Sequence, residues 1–457
     1  MTQTERPGNQ TDVQKAMKAF VSAVRKLGPV HYQSCVKCGL CGETCHIYLT
    51  DPTILNLPVY KAEQIMKIFR RYYTFLGRFL APWVGAQSLT KDVLESLVET
   101  VYGRCTACGR CGLHCSIGFD VSSVIRTGRT MLAEIGKVPS SLQAVVNNQI
   151  TTGNQMAIPR RELLDTVEWL CQDLRLEMNN DSVIIPVDEP GRRILYLINP
   201  REVKFFPLSL LAAAGIFHAA QESWTISSRF YDVTNYGLYS GDDTAAAAIT
   251  RQVIDEARHL GVEEIVLSEC GYGFRSFRWE GPNWLGRAYD ISARSMLYLI
   301  WDYIDTGKIR IDPSRNPERI TLHDPCNLVR WGGVSEPQRK ILKRVCMDFQ
   351  EMMPHGADNY CCGGGGGMLS MSEYGDRRIL SGSLKAEQIR ASGARIVAAP
   401  CHNCADQLLE LNKKFKLGVE IQSVTEIVYN AMVLEMAEQS EISNSDADDS
   451  FNVTPSV

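Results

Sequence analysis

No stretch of this 457-residue chain reaches the roughly 18 apolar residues that a membrane-spanning helix needs. LSLLAAAGIFHAA (208–220) is too short, and TFLGRFLAPWVGA (74–86) is cut by Arg78. The opening MTQTERPGNQTDVQKA (1–16) is polar and lacks the apolar segment of a secretory leader. No charge predominates: 48 Lys and Arg against 52 Asp and Glu leave −4, no electrostatic case for nucleic acid or a membrane surface. No GxGxxG and no P-loop is visible, so the chain itself is not expected to bind dinucleotide or ATP. Together these absences predict a cytoplasmic protein with no span of its own.

An apolar share of 45% is enough for a sizeable core, and the length suggests two or three domains. From Leu434 to Val457 there are six acids and no Lys or Arg, a composition that predicts a disordered acidic tail. The informative count is cysteine, of which there are 16. In a cytoplasmic setting these point to metal or redox chemistry rather than structural disulfides.

The cysteines are grouped. Cys35, Cys38, Cys41 and Cys45 form C-x2-C-x2-C-x3-C in CVKCGLCGETC, and Cys105, Cys108, Cys111 and Cys115 repeat the spacing in CTACGRCGLHC. Three thiolates spaced in this way can hold three irons of one small cluster, while the fourth reaches the other cluster when two motifs occur together. The expected ligand sets are therefore Cys35, Cys38, Cys41 and Cys115 for one [4Fe–4S] cluster, and Cys105, Cys108, Cys111 and Cys45 for a second. Structural zinc also binds C-x2-C pairs, but a doubled 2-2-3 spacing argues against it. Bacterial ferredoxins usually carry proline after the fourth cysteine; here the residues are His46 and Ser116. Between the motifs, VYKAEQIMKIFRRYY (59–73) and DVLESLVETVY (92–102) have helical apolar periods. The segment 69–86 mixes aromatics with arginines and reads either as a dock for a membrane subunit or as cover for the clusters.

A third group comprises Cys326, the adjacent pair Cys361 and Cys362, and Cys401 and Cys404. Neighbouring side chains on an extended strand point to opposite faces, so a doublet suits a bent loop that gives one thiolate to each of two irons. The five glycines that follow, Gly363 to Gly367, permit φ > 0 and close approach of backbone N–H groups to sulfides; a flexible linker is the plainer reading. RITLHDPC (319–326) and GARIVAAPC (393–401) read as strands ending at a cysteine, and EYGDRRILSGSLKAEQIRASG (373–393) as a helix. Strand C-termini meet along one sheet edge, where sites form. Five thiolates would gather there although a cubane needs four, so one is spare or the cluster has another shape.

HLGVEEIVLSECGYGF (259–274) resembles RASGARIVAAPCHNCA (390–405) at an offset of 131, with RRILYLINP (192–200) reading as a strand upstream. Phe230 and Tyr231 then stand for Cys361 and Cys362, and Gly273 for Cys404. The C-terminal half is thus read as two copies of one α/β unit, the first without its ligands. Cys270, Cys171 and Cys346 are read as buried thiols.

HDPC, NYCCGGGGG and APCHNC are similar to the cysteine-rich CCG motif of heterodisulfide reductases, and the order of motifs resembles the D subunit of those enzymes. QESWTISSRFYDVTNYGLYSGD (221–242) and SECGYGFRSFRWEG (268–281) resemble the cytoplasmic iron–sulfur subunits of membrane respiratory complexes. These are the K subunit of the complex linked to dissimilatory sulfite reductase and the F subunit of the high-molecular-weight cytochrome complex. The resemblance covers roughly residues 28–430. It implies a further [4Fe–4S] cluster, cubane or noncubane, on the catalytic cysteines Cys326, Cys361, Cys362, Cys401 and Cys404, where a disulfide is cleaved in one-electron steps. It also implies a cytochrome b-type membrane subunit passing quinol electrons, other complex subunits, and a small thiol/disulfide protein or low-molecular-weight disulfide as partner. The chain would then lie on the inner face of the cytoplasmic membrane through its partners. His323 and His402 stand beside ligands and read either as proton donors or as ordinary hydrogen-bonded groups. The alternatives to an oxidoreductase acting on sulfur are a non-catalytic electron relay, the iron–sulfur subunit of a hydroxy-acid dehydrogenase, and a zinc scaffold.

The fold class expected is mixed α+β and α/β: a helical dicluster ferredoxin-like domain followed by two α/β CCG-type repeats, the first degenerate. The expected divisions are an N-terminal segment (1–27), the ferredoxin-like domain (28–130), a helical linker (131–190), the degenerate repeat (191–310), the CCG domain (311–433) and the tail (434–457).

Overall fold

The computed structural model describes residues 11–434. The first ten residues of the N-terminal segment lie outside the described residues, as does the acidic tail apart from Leu434. The first helix, Asp12–Leu27, opens with a capping box: the Thr11 hydroxyl accepts from Gln14 N, and the Gln14 side chain accepts from Thr11 N. Ala16, Phe20 and Val24 recur every four residues on its buried face, which packs on the helix Val121–Glu134. The helix expected over 59–73 is Pro58–Tyr73, with Val59, Ala62, Ile65, Met66 and Phe69 buried. The second, expected over 92–102, forms as the α-helix Lys91–Val98 followed by a wider π turn, Glu99–Gly103, whose Val101, Tyr102 and Gly103 all face inwards.

In the segment 69–86 the two readings separate by residue. Phe69 is buried and stacks on Tyr32 and Tyr73 at centroid distances of 5.0 and 4.8 Å. Phe75, Phe79 and Trp83 are 76%, 71% and 89% exposed, so among the described residues the outer aromatics cover no cluster loop.

Two four-stranded parallel sheets follow. The first contains β1 (Ile194–Leu197), β2 (Trp224–Thr225), β3 (Glu264–Leu267) and β4 (Ser292–Ser295) in the order β2-β1-β3-β4. The second contains β5 (Arg319–Leu322), β6 (Asp348–Glu351), β7 (Ile396–Ala398) and β8 (Glu420–Gln422) in the order β6-β5-β7-β8. The two orders are the same, as a sequence repeat requires. In each sheet the chain leaves the first strand to one side and returns to the other, so the switch point lies between the central strands. Leaving β3, Cys270 N donates to Ser268 O at 2.6 Å; leaving β7, Cys401 N donates to Ala399 O at 2.6 Å.

The apolar run 208–220 folds as the helix Pro207–Ala219, buried on every side from Ser209 to Phe217. It packs on the helix Val424–Ala431 of the second unit, where a Cβ on Gly215 would lie 2.3 Å from the Tyr429 ring. It is an inter-unit core helix, and among the described residues no helix is long and apolar enough to cross a membrane. The helix expected over 373–393 is two helices, Gly375–Ser381 and Ser383–Ser392. They break at Gly382, where a Cβ would sit 2.8 Å from the Cys362 carbonyl.

One buried cation joins all three regions. Arg129, 2% exposed, donates to Val101 O (2.9 Å), Cys105 O (2.8 Å), Tyr239 O (2.8 Å) and Gly366 O (2.7 Å). Removing it strands four buried carbonyls, so Arg129→Met is expected to lower the unfolding free energy by about 3–5 kcal/mol, with Arg129→Lys intermediate. Chemical denaturation of anaerobically prepared protein, followed by circular dichroism, measures this.

Candidate metal centres

The two ferredoxin-type loops share a backbone. Lys37 and Ala107, each just before the second cysteine of its motif, have φ of 59° and 50°, and Gly39 and Gly109 after it have 84° and 79°. Left-handed conformations at two non-glycine residues are costly and persist where the surroundings demand them. The bend turns the cysteines of each loop inward. One cavity is bordered by Cys35, Cys38, Cys41 and Cys115, the other by Cys45, Cys105 and Cys108, and Cys111 borders both. The fourth cysteine of each motif therefore lies with the first three of the other.

The five downstream thiols come together at the switch edge of the second sheet. Cys326 follows β5, and Cys401 caps the helix His402–Phe415 that follows β7. Cys361 and Cys362 arrive on the loop after β6. All five line one cavity with Tyr272, His323, Asn327, Asn403, Gly364 and Gly365. The sulfurs form a chain of contacts: Cys108 and Cys326 donate to Cys361, Cys361 donates to Cys362, and Cys362 is hydrogen-bonded to Cys404. The Cys362–Cys404 sulfur separation is 3.6 Å. Cys404 and Cys270 donate to Cys401. These donors hold Cys361, Cys362 and Cys401 well below the ordinary thiol range, whereas Cys326 and Cys404 are pushed up by the same contacts and by burial.

The donor set fits an iron–sulfur cluster in each cavity: soft thiolates only, convergent, with backbone N–H groups aimed at sulfur. Gly363 N donates to Cys361 Sγ at 3.4 Å with φ of +101°. The glycine run is buried throughout, which rules out a flexible linker. It also serves a purpose beyond φ: a Cβ on Gly366 would lie 2.6 Å from the Thr106 carbonyl carbon. The run is pressed against the second ferredoxin-type loop, and side chains there would force the two apart.

In the first repeat a thiol at position 273 has no room. A Cβ on Gly273 would meet Val233 O at 2.3 Å and Val233 Cγ2 at 2.5 Å. Val233, with buried Tyr231 beside it, fills the place. Cys270 is buried as expected, yet its sulfur reaches Cys401, and Tyr272 Oη donates to Gly364 O at 3.0 Å. The degenerate copy thus forms one wall of the other copy's cavity. Cys171 and Cys346 are buried: Cys171 Sγ accepts from Ile185 N at 3.0 Å, and Cys346 Sγ donates to Leu342 O at 2.7 Å.

Three residues matter to the site that motif reading did not single out for it. His46, where ferredoxins usually carry proline, is buried between Cys108 and Cys361. Its Nε2 lies 3.5 Å from Thr106 Oγ1; burial opposes its charge, but the neighbouring Cys108 and Cys361 sulfurs outweigh this and raise its pKa to about 9. The replaced proline is the visible signal. Lys385 is fully buried, its Nζ bonded to Asn359 Oδ1, and burial lowers its pKa to about 8 against the nearby Asp324 and cysteines. Arg330 donates to Cys108 O and Ala357 O at 2.7 Å and to Asn359 O at 2.5 Å, tying the cysteine-doublet loop to the ferredoxin-type loop. Nothing in the local sequence marks Lys385 or Arg330.

The two flanking histidines are neutral. Burial and the Lys385 charge lower His323 to about 3, and burial lowers His402 to about 4. Among the described residues His323 has no hydrogen-bond partner on either ring nitrogen, and one of them lies within 4.8 Å of the Cys362 and Cys404 sulfurs. His402 Nδ1 is 3.5 Å from Glu202 Oε1, but this is no ion pair: burial raises Glu202 to about 8, so near neutrality both groups are uncharged. A carboxyl raised in the folded state stabilises it fully below the unfolded value near 4.5 and loses that contribution as pH rises through about 8. Glu202→Gln keeps the acceptor for Asn199 N and Ser268 Oγ. It is expected to lessen the fall in stability between those pH values by up to ~1.4 kcal/mol per pH unit, with buried Asp232 and Glu269, each raised to about 7, still contributing theirs; denaturation midpoints across pH check it.

Two family models match this chain: a 4Fe-4S dicluster domain over residues 31–119 and a cysteine-rich (CCG) domain over 320–409. Among curated proteins it is 27% identical to the Hdr-like menaquinol oxidoreductase iron-sulfur subunit 2 of Archaeoglobus fulgidus, covering 88% of this chain and 79% of that one. The corresponding Archaeoglobus profundus protein is 27% identical with the same shares. The D subunit of the dihydromethanophenazine:CoB–CoM heterodisulfide reductase of Methanosarcina barkeri is 24% identical over 88% of this chain and 94% of its own. The chain is an iron–sulfur oxidoreductase with multiple 4Fe-4S clusters, related over most of its length to the iron–sulfur subunits of Hdr-like menaquinol oxidoreductases and to the D subunits of heterodisulfide reductases.

Proposed function

We propose that this chain is the electron-transfer and catalytic subunit of a membrane-associated respiratory complex and exchanges electrons between the quinone pool and a disulfide or thiol partner. Cys35, Cys38, Cys41 and Cys115 hold one cluster, Cys45, Cys105, Cys108 and Cys111 a second, and Cys326, Cys361, Cys362, Cys401 and Cys404 the catalytic one. Bound clusters of this kind supply one-electron storage at potentials set by burial and hydrogen bonding. The observation that carries the reading is continuity: Cys111 borders both ferredoxin-type cavities, and Cys108 touches Cys361. Exposure falls along this line, from exposed Cys38 to Cys361 at 2%. Electrons enter at the outer cavity, from a cytochrome b-type membrane subunit, and end in a dry site. The relatives' names, menaquinol oxidoreductase and heterodisulfide reductase, support a quinol at one end and a disulfide at the other.

Reducing a disulfide takes two electrons and two protons and yields two thiols; oxidising a thiol pair is the reverse. The chain holds protons where this needs them. His46 and Lys385 are the buried cations beside the doublet, offsetting thiolate charge there. His323 stays neutral and presents an unpartnered ring to Cys362 and Cys404. The burial of all five thiols favours a second reading, a relay that never meets a substrate.

Iron and sulfide analysis with EPR on anaerobic protein decides between these. Three four-iron clusters predict about 12 Fe per chain in the wild type and about 8 in Cys361→Ser. In that variant the two ferredoxin-type signals remain and the reaction of reduced protein with disulfides is lost. About 8 Fe in the wild type removes the catalytic reading; about 12 with no disulfide reaction leaves the relay.

A further inference from the structure

We infer that the turn carrying Phe75, Leu76, Phe79, Leu80 and Trp83 is a lipid foothold, by which the chain itself seats in an anionic membrane surface beside its electron inlet. This rests on the membrane-associated reading above and adds a direct protein–lipid contact to it. Whole-chain charge gives no case for a membrane, but charge is local. Residues 63–92 contain five basic residues, Lys67, Arg70, Arg71, Arg78 and Lys91, against two acids at their ends, Glu63 and Asp92, and Glu63 is paired with Arg70. Basic residues with exposed Trp, Phe and Leu are the composition of segments that lie in the headgroup boundary of anionic lipid.

The geometry agrees with immersion. All five apolar side chains of the turn are exposed. Much of the backbone beneath them is hydrogen-bonded within the turn, which lowers the cost of transfer out of water. Thr74 Oγ1 accepts from Gly77 N, and Leu80 N and Trp83 N bond to Leu76 O and Leu80 O. Arg71 Nη1 donates to the carbonyls of Gly77 (3.1 Å) and Arg78 (2.5 Å), Arg78 to Tyr72 O (3.0 Å) and Arg70 to Gly85 O (3.0 Å). The arginines thus brace the turn and keep it a fixed apolar knob with positive charge at its base.

Its position ties it to function. Lys37, within the first ferredoxin-type motif, pairs with Glu63 at 3.0 Å, and Glu63 also pairs with Arg70. Seven helical residues separate these points, about 10 Å of rise. The knob therefore sits at the far end of the helix Pro58–Tyr73, whose near end braces the outer cluster loop, and seating it brings that loop to the membrane.

Flotation of the cluster-loaded full chain with vesicles tests this, using phosphatidylcholine alone and phosphatidylcholine mixed with phosphatidylglycerol. The wild type is expected to float with the mixed vesicles, less so as salt rises, and Phe75→Ser/Phe79→Ser/Trp83→Ser to reduce the bound fraction about tenfold. The exposed positions leave iron content and disulfide reaction unchanged in that variant, so the foothold can fail while the proposed function stands. A wild type that does not float, a triple variant that floats equally, or flotation only on vesicles carrying a membrane protein partner overturns it.

Discussion

A guanidinium without access to water sets the geometry of this protein. Arg129 projects from the helix Val121–Glu134 and donates to a carbonyl of the second ferredoxin-type loop, one of the first sheet unit and one of the glycine run. Burial lowers its pKa from the usual arginine value, and the largest opposing influence is Cys105. A cation so placed is stable only while all its carbonyls stay in place. Each region is therefore held in position by the others, and the sulfur sites inherit that rigidity.

The same economy governs the line of sulfurs. Thiolates in a dry interior repel one another and lack water to solvate them, so donors and cations must come from the protein. Cys108, Cys326 and Cys404 donate to their lower-pKa neighbours, His46 stands between two loops as a cation, and Lys385 lies under the doublet. Contact between the loops depends on the absence of side chains at Gly365 and Gly366, which rest on Thr106. The glycines bring two redox sites together as much as they bend the chain.

The faded repeat shows how a lost site can be reused. Its strand order matches that of the intact copy, yet Val233 occupies the space a second thiol at 273 would need. What survives faces outward across the unit boundary. Cys270 reaches Cys401, Tyr272 reaches Gly364, and the Glu269 carboxylate accepts from Val424 N and Thr425 N at the start of the other unit's last helix. The copy that gave up its ligands became wall and buttress for the copy that kept them.

Much is legible in one dimension because ligation and periodicity are local. The 2-2-3 cysteine spacing, the helical period of 59–73, the strands ending at Cys326 and Cys401 and the repeat at 131 residues all follow from what adjacent residues can do together. The helix expected over 373–393 is interrupted at Gly382, which rests against the Cys362 carbonyl, a contact from elsewhere in the chain that the local pattern does not carry. The outer aromatics of 69–86 are ambiguous for the same reason: the pattern marks apolar side chains without saying what faces them. Residue spacing alone determined which thiols could serve a cluster and which segments form helices and strands. Tertiary structure alone decided that Cys108 meets Cys361, that His46 and Lys385 lie beside them, and that Phe75, Phe79 and Trp83 face outward. Those contacts join residues far apart in the chain, and their energies depend on burial, which only the packed fold defines.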